Sequence, residues 1–390
     1  MLRAILLALF MTCSIARAEA PPAALTAKLR KGVNLSHWWW SASRDEKPEK
    51  AITADDARLI KNAGLTHVRI PIDPALFVNT DGKLDDAAAV RLLKSVKLFT
   101  DAGLAVVIDA HPAGGSAPSK QMLPADNPTG WLDGLDRFWK AFAPVWKQTN
   151  PDLVAIELLN EPNGLDDAKA WPVAQERLRA TVRAILPRHT IILTGDDWGS
   201  IDGLIKLDPS TADSNIVHSI HFYEPHTFTH QGATWGSPMW KEIKDLRYPF
   251  DAANIDTVVK SITDPKAANS VNWYAKEKWD AAKVKARLEK AKAWAASCSP
   301  PATLYLGEFG AYRKGCDDAS RKAWLTDVRT AAEANGIGWC VWDYSGGFAI
   351  TDKKGNTART LDEDAARALG LAFSAKPVIP TPQRAPARKP

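Results

Sequence analysis

Eight short apolar runs, separated by helical patterns that close on glycine, constrain this chain more than any other feature. The runs are Gly32 to Leu35, Thr66 to Ile70, Leu104 to Asp109, Leu153 to Asn160, Thr190 to Thr194, Ile216 to His221, Thr303 to Glu308 and Ile337 to Trp342. Short, continuously apolar and bounded by turn residues, they read as strands buried on both faces of a parallel sheet. The intervening segments carry helix punctuation. Thr53 caps the run to Ala63 and Gly64 closes it; Asp85 to Ala102 closes on Gly103; Ala319 to Ala334 stops at Asn335-Gly336. Strand, helix and glycine in eightfold alternation give the α/β class and a (β/α)8 TIM barrel. An open doubly wound sheet is the rival, weakened because no Gly-x-Gly-x-x-Gly follows a first strand.

One segment departs from the repeat. From Tyr223 to about Lys278 the chain reads as irregular and is rich in Trp, His, Pro and Asn. A connection this long inside a compact domain is usually functional. It follows the sixth strand, so it reads as a long loop insertion walling the face where barrel catalysis occurs.

The two ends read differently from the middle. Residues 1–18 have a charged start, a short apolar stretch from Ala4 to Ile15 and a small-x-small end at Ala16-Arg17-Ala18. That is the pattern of a cleaved secretion signal, with a retained anchor as the alternative, and it implies a secreted or periplasmic protein. Residues 19–373 then form the barrel, and residues 374–390 a Pro-rich basic disordered tail. The net charge is +5, and Lys376, Arg384, Arg388 and Lys389 of the tail supply most of it. The folded part is near neutral, so nucleic-acid binding has no electrostatic support. No stretch after the leader is long and apolar enough to span a membrane.

Polar residues collect at the C-terminal tips of the eight runs, which in a barrel point into one bowl. They are Asn34 and His37, Arg69, Asp109 and His111, Asn160 and Glu161, Asp196 to Trp198, His221 and Tyr223, Glu308, and Trp342 with Asp343. Two glutamates at two strand tips, Glu161 in Leu159-Asn160-Glu161-Pro162 and Glu308 in Gly307-Glu308-Phe309-Gly310, are the pair that glycoside hydrolysis needs. Glu157, inside the fourth run, reads as structural, and Asn34 reads equally well as a structural hydrogen bond at the mouth.

With these motifs in hand, the chain resembles glycoside hydrolase family 5, the cellulase-like family of retaining barrel enzymes. The matching pieces run in the family's order from Gly32-Val33-Asn34-Leu35 through Val68-Arg69-Ile70-Pro71, Ile108-Asp109-Ala110-His111, Leu159-Asn160-Glu161-Pro162, His221-Phe222-Tyr223 and Gly307-Glu308-Phe309-Gly310 to Val341-Trp342. The resemblance implies that Glu161 is the general acid/base, with a raised pKa, and Glu308 the nucleophile, its pKa lowered by Arg69 and Tyr223. It implies that Asn160 contacts the sugar 2-hydroxyl, that His111 and His221 orient carboxylates and bind hydroxyls, and that Trp342 lies under the sugar. It implies carboxyl groups ~5–5.5 Å apart, the retaining separation. No cofactor or protein partner is implied; the partner is a polysaccharide or oligosaccharide. The expected activity is endo-β-glucanase-like. A β-1,3-glucan- or mannan-active hydrolase, a periplasmic glucan transglycosylase and a glycan-binding barrel without turnover are the alternatives.

The remaining aromatic and sulfur residues divide as follows. Among 16 tryptophans, Trp139, Trp146, Trp294 and Trp324 fall in helical patterns and read as core. Trp38, Trp39, Trp40, Trp198, Trp235 and Trp240 fall in loops on the catalytic face. Two or three of these are expected to form sugar subsites, Trp198 and Trp235 first. His218, His221, His226 and His230 lack a chelating pattern, so no metal is expected. Cys298 and Cys316 could form a disulfide, although they flank the seventh run at opposite ends.

Overall fold

The computed structural model describes residues 20–40, 51–112, 130–164, 170–210, 213–353 and 358–373. The expected leader and tail lie outside the described residues. The chain opens with α1 (Ala23–Lys28) and β1 (Lys31–Asn34), then α2 (Ala54–Asn62), β2 (His67–Ile72), α3 (Asp86–Asp101) and β3 (Ala105–Ala110). Next come α4 (Gly130–Phe142), β4 (Val154–Glu157), α5 (Ala170–Ile185), β5 (Thr190–Thr194), α6 (Ile201–Ile205) and β6 (Ile216–Phe222). Four helices follow, α7 (His226–Thr229), α8 (Ala252–Ser261), α9 (Pro265–Glu277) and α10 (Ala281–Ser297). The chain then runs through β7 (Thr303–Phe309), α11 (Asp318–Ala334), β8 (Gly338–Val341), the short pair β9 (Thr351–Asp352) and β10 (Thr360–Leu361), and α12 (Glu363–Ala368).

Strands β1 to β8 pair in sequence order, and β8 closes on β1 through parallel pairs such as Gly32 with Cys340. The fold is a (β/α)8 barrel. Thr53 donates its backbone N–H to Asp56 at 2.8 Å at the start of α2, and Gly64 and Gly103 turn through left-handed φ of 88° and 77° beyond α2 and α3.

The pleat decides what points inward. Ala105 and Val107, Ala155, Ile192, Val217, Tyr305 and Cys340 meet in one cluster with Leu25 and Leu29 near α1, which plugs the barrel floor. Alternate residues therefore fill the interior, and the next inward positions upward are Asp109, Glu157, Ser219 and His221. Outward-facing apolar residues pack on the helix shell in the larger core.

Two expectations are corrected. The fourth strand ends at Glu157, not Asn160. The segment after β6 is not irregular throughout: α8 and α9 lie within it, each started by an aspartate, Asp251 and Asp264, whose side chain accepts a backbone N–H of the first turn.

Candidate active site

Arg69 is the hub beneath the barrel mouth. It sits inward on β2 with no solvent exposure. Its Nε and Nη2 donate to the two oxygens of Glu157 at 2.7 and 3.1 Å. Nη2 also reaches Asn160 Oδ1 and Asp109 Oδ2, both at 2.9 Å. Nη1 donates to Asn34 Oδ1 at 3.0 Å and to Glu308 Oε1 at 2.6 Å. Asp109 and Glu157 are register partners on adjacent strands, so the planar guanidinium is clamped by two neighbouring carboxylates while it holds a third. Asn34 is fully buried and donates to Gly307 O at 2.9 Å. Arg69 and Asn34 thus support the site from below rather than touching a ligand.

Glu308 reaches the interior through a break in the pleat. Tyr305 points inward and pairs with Ser219, but the register shifts so that His221 pairs with Glu308. Gly307 is the extra residue of a β-bulge, which re-aims the following side chain. A Cβ at Gly307 would stand 2.4 Å from Ser219 Oγ, so the bulge needs glycine. Tyr223, just past β6, donates to Glu308 Oε2 at 2.8 Å.

Glu161 enters from the segment after β4 with a left-handed φ of 42°, a conformation that costs a non-glycine residue about 1–2 kcal/mol. Asn163 Nδ2 donates to the Glu161 carbonyl at 2.8 Å and holds that turn. The Glu161 Oε1 to His221 Nδ1 distance is 2.8 Å. One oxygen of each glutamate and a His221 ring nitrogen all lie within 4.8 Å of one another. The Glu308 side chain is 4 % exposed, that of Glu161 20 %.

The electrostatics separate the two carboxyls by their partners. Burial pushes Glu161 up to about 7, against the pull of His111 and Arg69. Burial also raises Glu308, with His221 and Arg69 acting in the opposite direction. The expectation of a lowered nucleophile pKa is therefore corrected: desolvation outweighs the cationic and hydroxyl neighbours. Asp109 is pushed to about 7 by burial against Arg69, so the carboxylates around one guanidinium do not all carry full charge at neutral pH. Burial lowers His221 and His111 to about 4, so both imidazoles are neutral. His111 Nδ1 pairs with Asp109 Oδ2 at 2.8 Å, and Asn160 Nδ2 lies 3.3 Å from His111 Nε2.

Aromatic walls stand around this floor. Trp342 stacks on His111 with centroids 5.8 Å apart, and Trp40 lies 4.8 Å from the same imidazole. Trp198 and Trp235 are each 47 % exposed at the rim. Trp235 sits against Phe348, Tyr312 and His230, and His230 in turn packs on Tyr223 and Trp240. His37 is exposed beside Trp40. Trp38 and Trp39 are not on this face: they are buried against Phe99 and Phe77. His218 is edge-on to Trp294 and apart from His221, whereas His226 stacks on His230. Cys298, Cys316 and Cys340 are free and buried, so the disulfide does not form. Sequence reasoning left Glu157 out of the site; its signal was parity with the inward Ala155. It had no basis for Tyr312 and Phe348, which reach the wall only through tertiary packing.

Residues 28–347 match the cellulase family, glycosyl hydrolase family 5. The chain is 30% identical over 363 residues to Endoglucanase 3 of Fibrobacter succinogenes, covering 88% of this chain and 53% of that protein. It therefore spans about half the length of that relative. It is 26% identical over 328 residues to Endoglucanase C of Acetivibrio thermocellus, covering 81% and 91% of the two chains. The structure of Thermotoga maritima Cel5A with mannotriose is similar at a TM-score of 0.71 and 25% identity, covering 90% of this chain and 99% of that one.

Proposed function

Because this chain belongs to the cellulase family, glycosyl hydrolase family 5, we propose that it is a retaining glycoside hydrolase cleaving β-linked glucan by double displacement. The observation that carries the reading is the asymmetric carboxyl pair, within 4.8 Å oxygen to oxygen. Inverting enzymes keep their carboxyl groups ~6.5–9.5 Å apart to admit a water.

In the first step Glu308 attacks the anomeric carbon. The glycosidic bond breaks as Glu161 gives its proton to the departing oxygen, leaving a glycosyl ester on Glu308. In the second step Glu161, now a carboxylate, takes a proton from water as that water attacks the same carbon and Glu308 departs. Arg69 and Tyr223 each hold one Glu308 oxygen, so the nucleophile is oriented and its charged form stabilised. His221, neutral, shares one proton with Glu161. Asn160 is fixed by Arg69 through its oxygen and by His111 through one amide hydrogen, which leaves its second amide hydrogen for the sugar 2-hydroxyl. Trp342 supplies an apolar face for the ring at the cleaved bond.

For the substrate, the endoglucanase relatives favour a β-1,4-glucan, and the exposed Trp198 and Trp235 suit a polymer, since indoles stack on the apolar faces of β-linked sugars. The secreted or periplasmic location implied by residues 1–18 belongs to the same proposal, and N-terminal sequencing of exported protein beginning at Glu19 tests it. The functional test is a panel of β-1,4, mixed-linkage and β-1,3 glucans and mannan, with products sized and the first-formed anomer read by NMR. Shortened β-1,4-glucan released as the β-anomer is expected. Release of the α-anomer sinks the mechanism, and binding without any reducing sugar sinks the enzyme.

A further inference from the structure

Three consecutive residues after β5 adopt left-handed backbone: Asp197, Trp198 and Gly199 have φ of 55°, 62° and 66°. Only single residues visit this region routinely, and two of these three carry a Cβ. Such a run persists only where its surroundings over-determine it, and strain of this kind gathers at functional sites.

Its hydrogen bonds lead to one place. The Trp198 N–H donates to the carbonyl of Pro162, the residue after Glu161, at 3.2 Å. The Gly199 carbonyl accepts the His221 N–H at 2.8 Å. His221 Nδ1 meets Glu161 Oε1 at 2.8 Å. The contacts close a ring: Glu161, Pro162, Trp198, Gly199, His221 and back to Glu161. The loop is itself anchored, because Gly199 N–H donates to Asp196 O at 3.2 Å and Ser200 Oγ donates to Asp197 at 3.0 Å while capping α6. A Cβ at Gly199 would crowd Thr194 Oγ1 at 3.0 Å, would touch His221 Cγ at 3.5 Å in ordinary van der Waals contact, and would oppose the left-handed φ of 66°.

We propose that the left-handed run Asp197-Trp198-Gly199 is a positioning device for the proton donor, setting the Glu161–His221 pair from both of its backbone ends. The proposal rests on the reading of Glu161 as general acid. The backbone of Trp198 and Gly199 acts through Glu161 and is a positioning element, separate from the sugar contact of the Trp198 indole. A misplaced acid fails only where the leaving oxygen needs its proton. Departure of an acidic phenol needs little help, and departure of a basic one needs full protonation.

The test compares kcat/KM on 2,4-dinitrophenyl and unsubstituted phenyl β-cellobiosides. Gly199→Ala is expected to lose about 10–100-fold on the phenyl substrate, the scale of a sub-ångström to 1 Å misplacement, and under about threefold on the dinitrophenyl one. Equal losses on both overturn the proposal. Trp198→Ala against Trp198→Gly gives a second reading should Gly199→Ala not fold. Both lack the indole, but only alanine opposes the left-handed backbone, so only alanine should show the split; identical behaviour overturns the device. Glu161→Ala separates the two levels. If it shows no leaving-group split, Glu161 is not the acid; if it does and neither loop variant follows, the acid stands and the device falls.

Discussion

Tyr223 and Arg69 hold opposite oxygens of the same carboxylate: the phenol donates to Glu308 Oε2 at 2.8 Å and the guanidinium to Oε1 at 2.6 Å. Both bonds favour the ionised form, whereas burial favours the neutral one. The state of Glu308 is therefore a balance between desolvation and two fixed donors, and each donor is separately removable.

Tyr223→Phe deletes one donor and keeps the ring against His230 and Phe348. A hydrogen bond to a charged group is worth about 1.5–3 kcal/mol, or about one to two pKa units. Losing it stabilises protonated Glu308, so the acidic limb of kcat/KM should move to higher pH by that amount. A pH–rate profile with an unmoved acidic limb would show that the phenol does not tune the nucleophile.

Glu161 supplies the opposite limb. Its carboxyl, pushed up to about 7 by its packed surroundings, holds the proton below that pH and has lost it above. The kcat/KM for a substrate with a poor leaving group should fall as pH rises through about 7. Glu161→Gln should abolish that limb along with about 10²–10⁴-fold of rate on such substrates, the usual worth of a general acid. A basic limb that survives in Glu161→Gln assigns it to another group.

The barrel was legible because its two signals, short continuously apolar runs for the strands and glycine-closed helical patterns between them, are local. The site was legible only as far as strand tips reveal it. Strict alternation from Tyr305 would turn Gly307 inward and Glu308 outward; the bulge that reverses this is seen only in the pairing with Ser219 and His221. Glu157 is a charged residue at an inward position, and the cation that makes it tolerable, Arg69, is 88 residues away in sequence. Trp38, Trp39 and Trp40 are identical in sequence terms. Packing against Phe99 and Phe77 buries the first two, and only Trp40 remains beside His111. In the insertion after β6, loop-like composition masked the Asp251 and Asp264-Pro265 helix starts.

Arg69→Met leaves Asp109, Glu157 and Glu308 buried without their cation. Removing one partner of a buried ion pair costs about 3–5 kcal/mol, and the loss should be read in chemical denaturation at about pH 8. The penalty is a penalty on charge. It should shrink toward about pH 5, because Asp109, with its pKa pushed to about 7, is neutral there. A loss that is constant across that range would mean that Arg69 contributes through packing alone.

Asp343, next in the chain to Trp342, gives a test read in stability rather than in turnover. It is fully buried, accepts the Ser36 hydroxyl at 2.5 Å, and is pushed up to about 7 by burial. The unfolded chain releases this proton near the ordinary aspartate value of about 3.9. Between that pH and about 7 the folded protein holds more protons than the unfolded one, so stability falls as pH rises through this window. Below it both states are protonated and the penalty is absent; above it the penalty is complete, at most about 4 kcal/mol for a gap of about three units. Asp343→Asn cannot ionise and lacks this dependence. Whatever the amide does to absolute stability, the difference between wild type and variant should shift in the variant's favour from about pH 4 to about pH 8, measured as denaturation midpoints. A difference that stays constant over that range would mean that Asp343 is already charged in the folded protein at the acidic end.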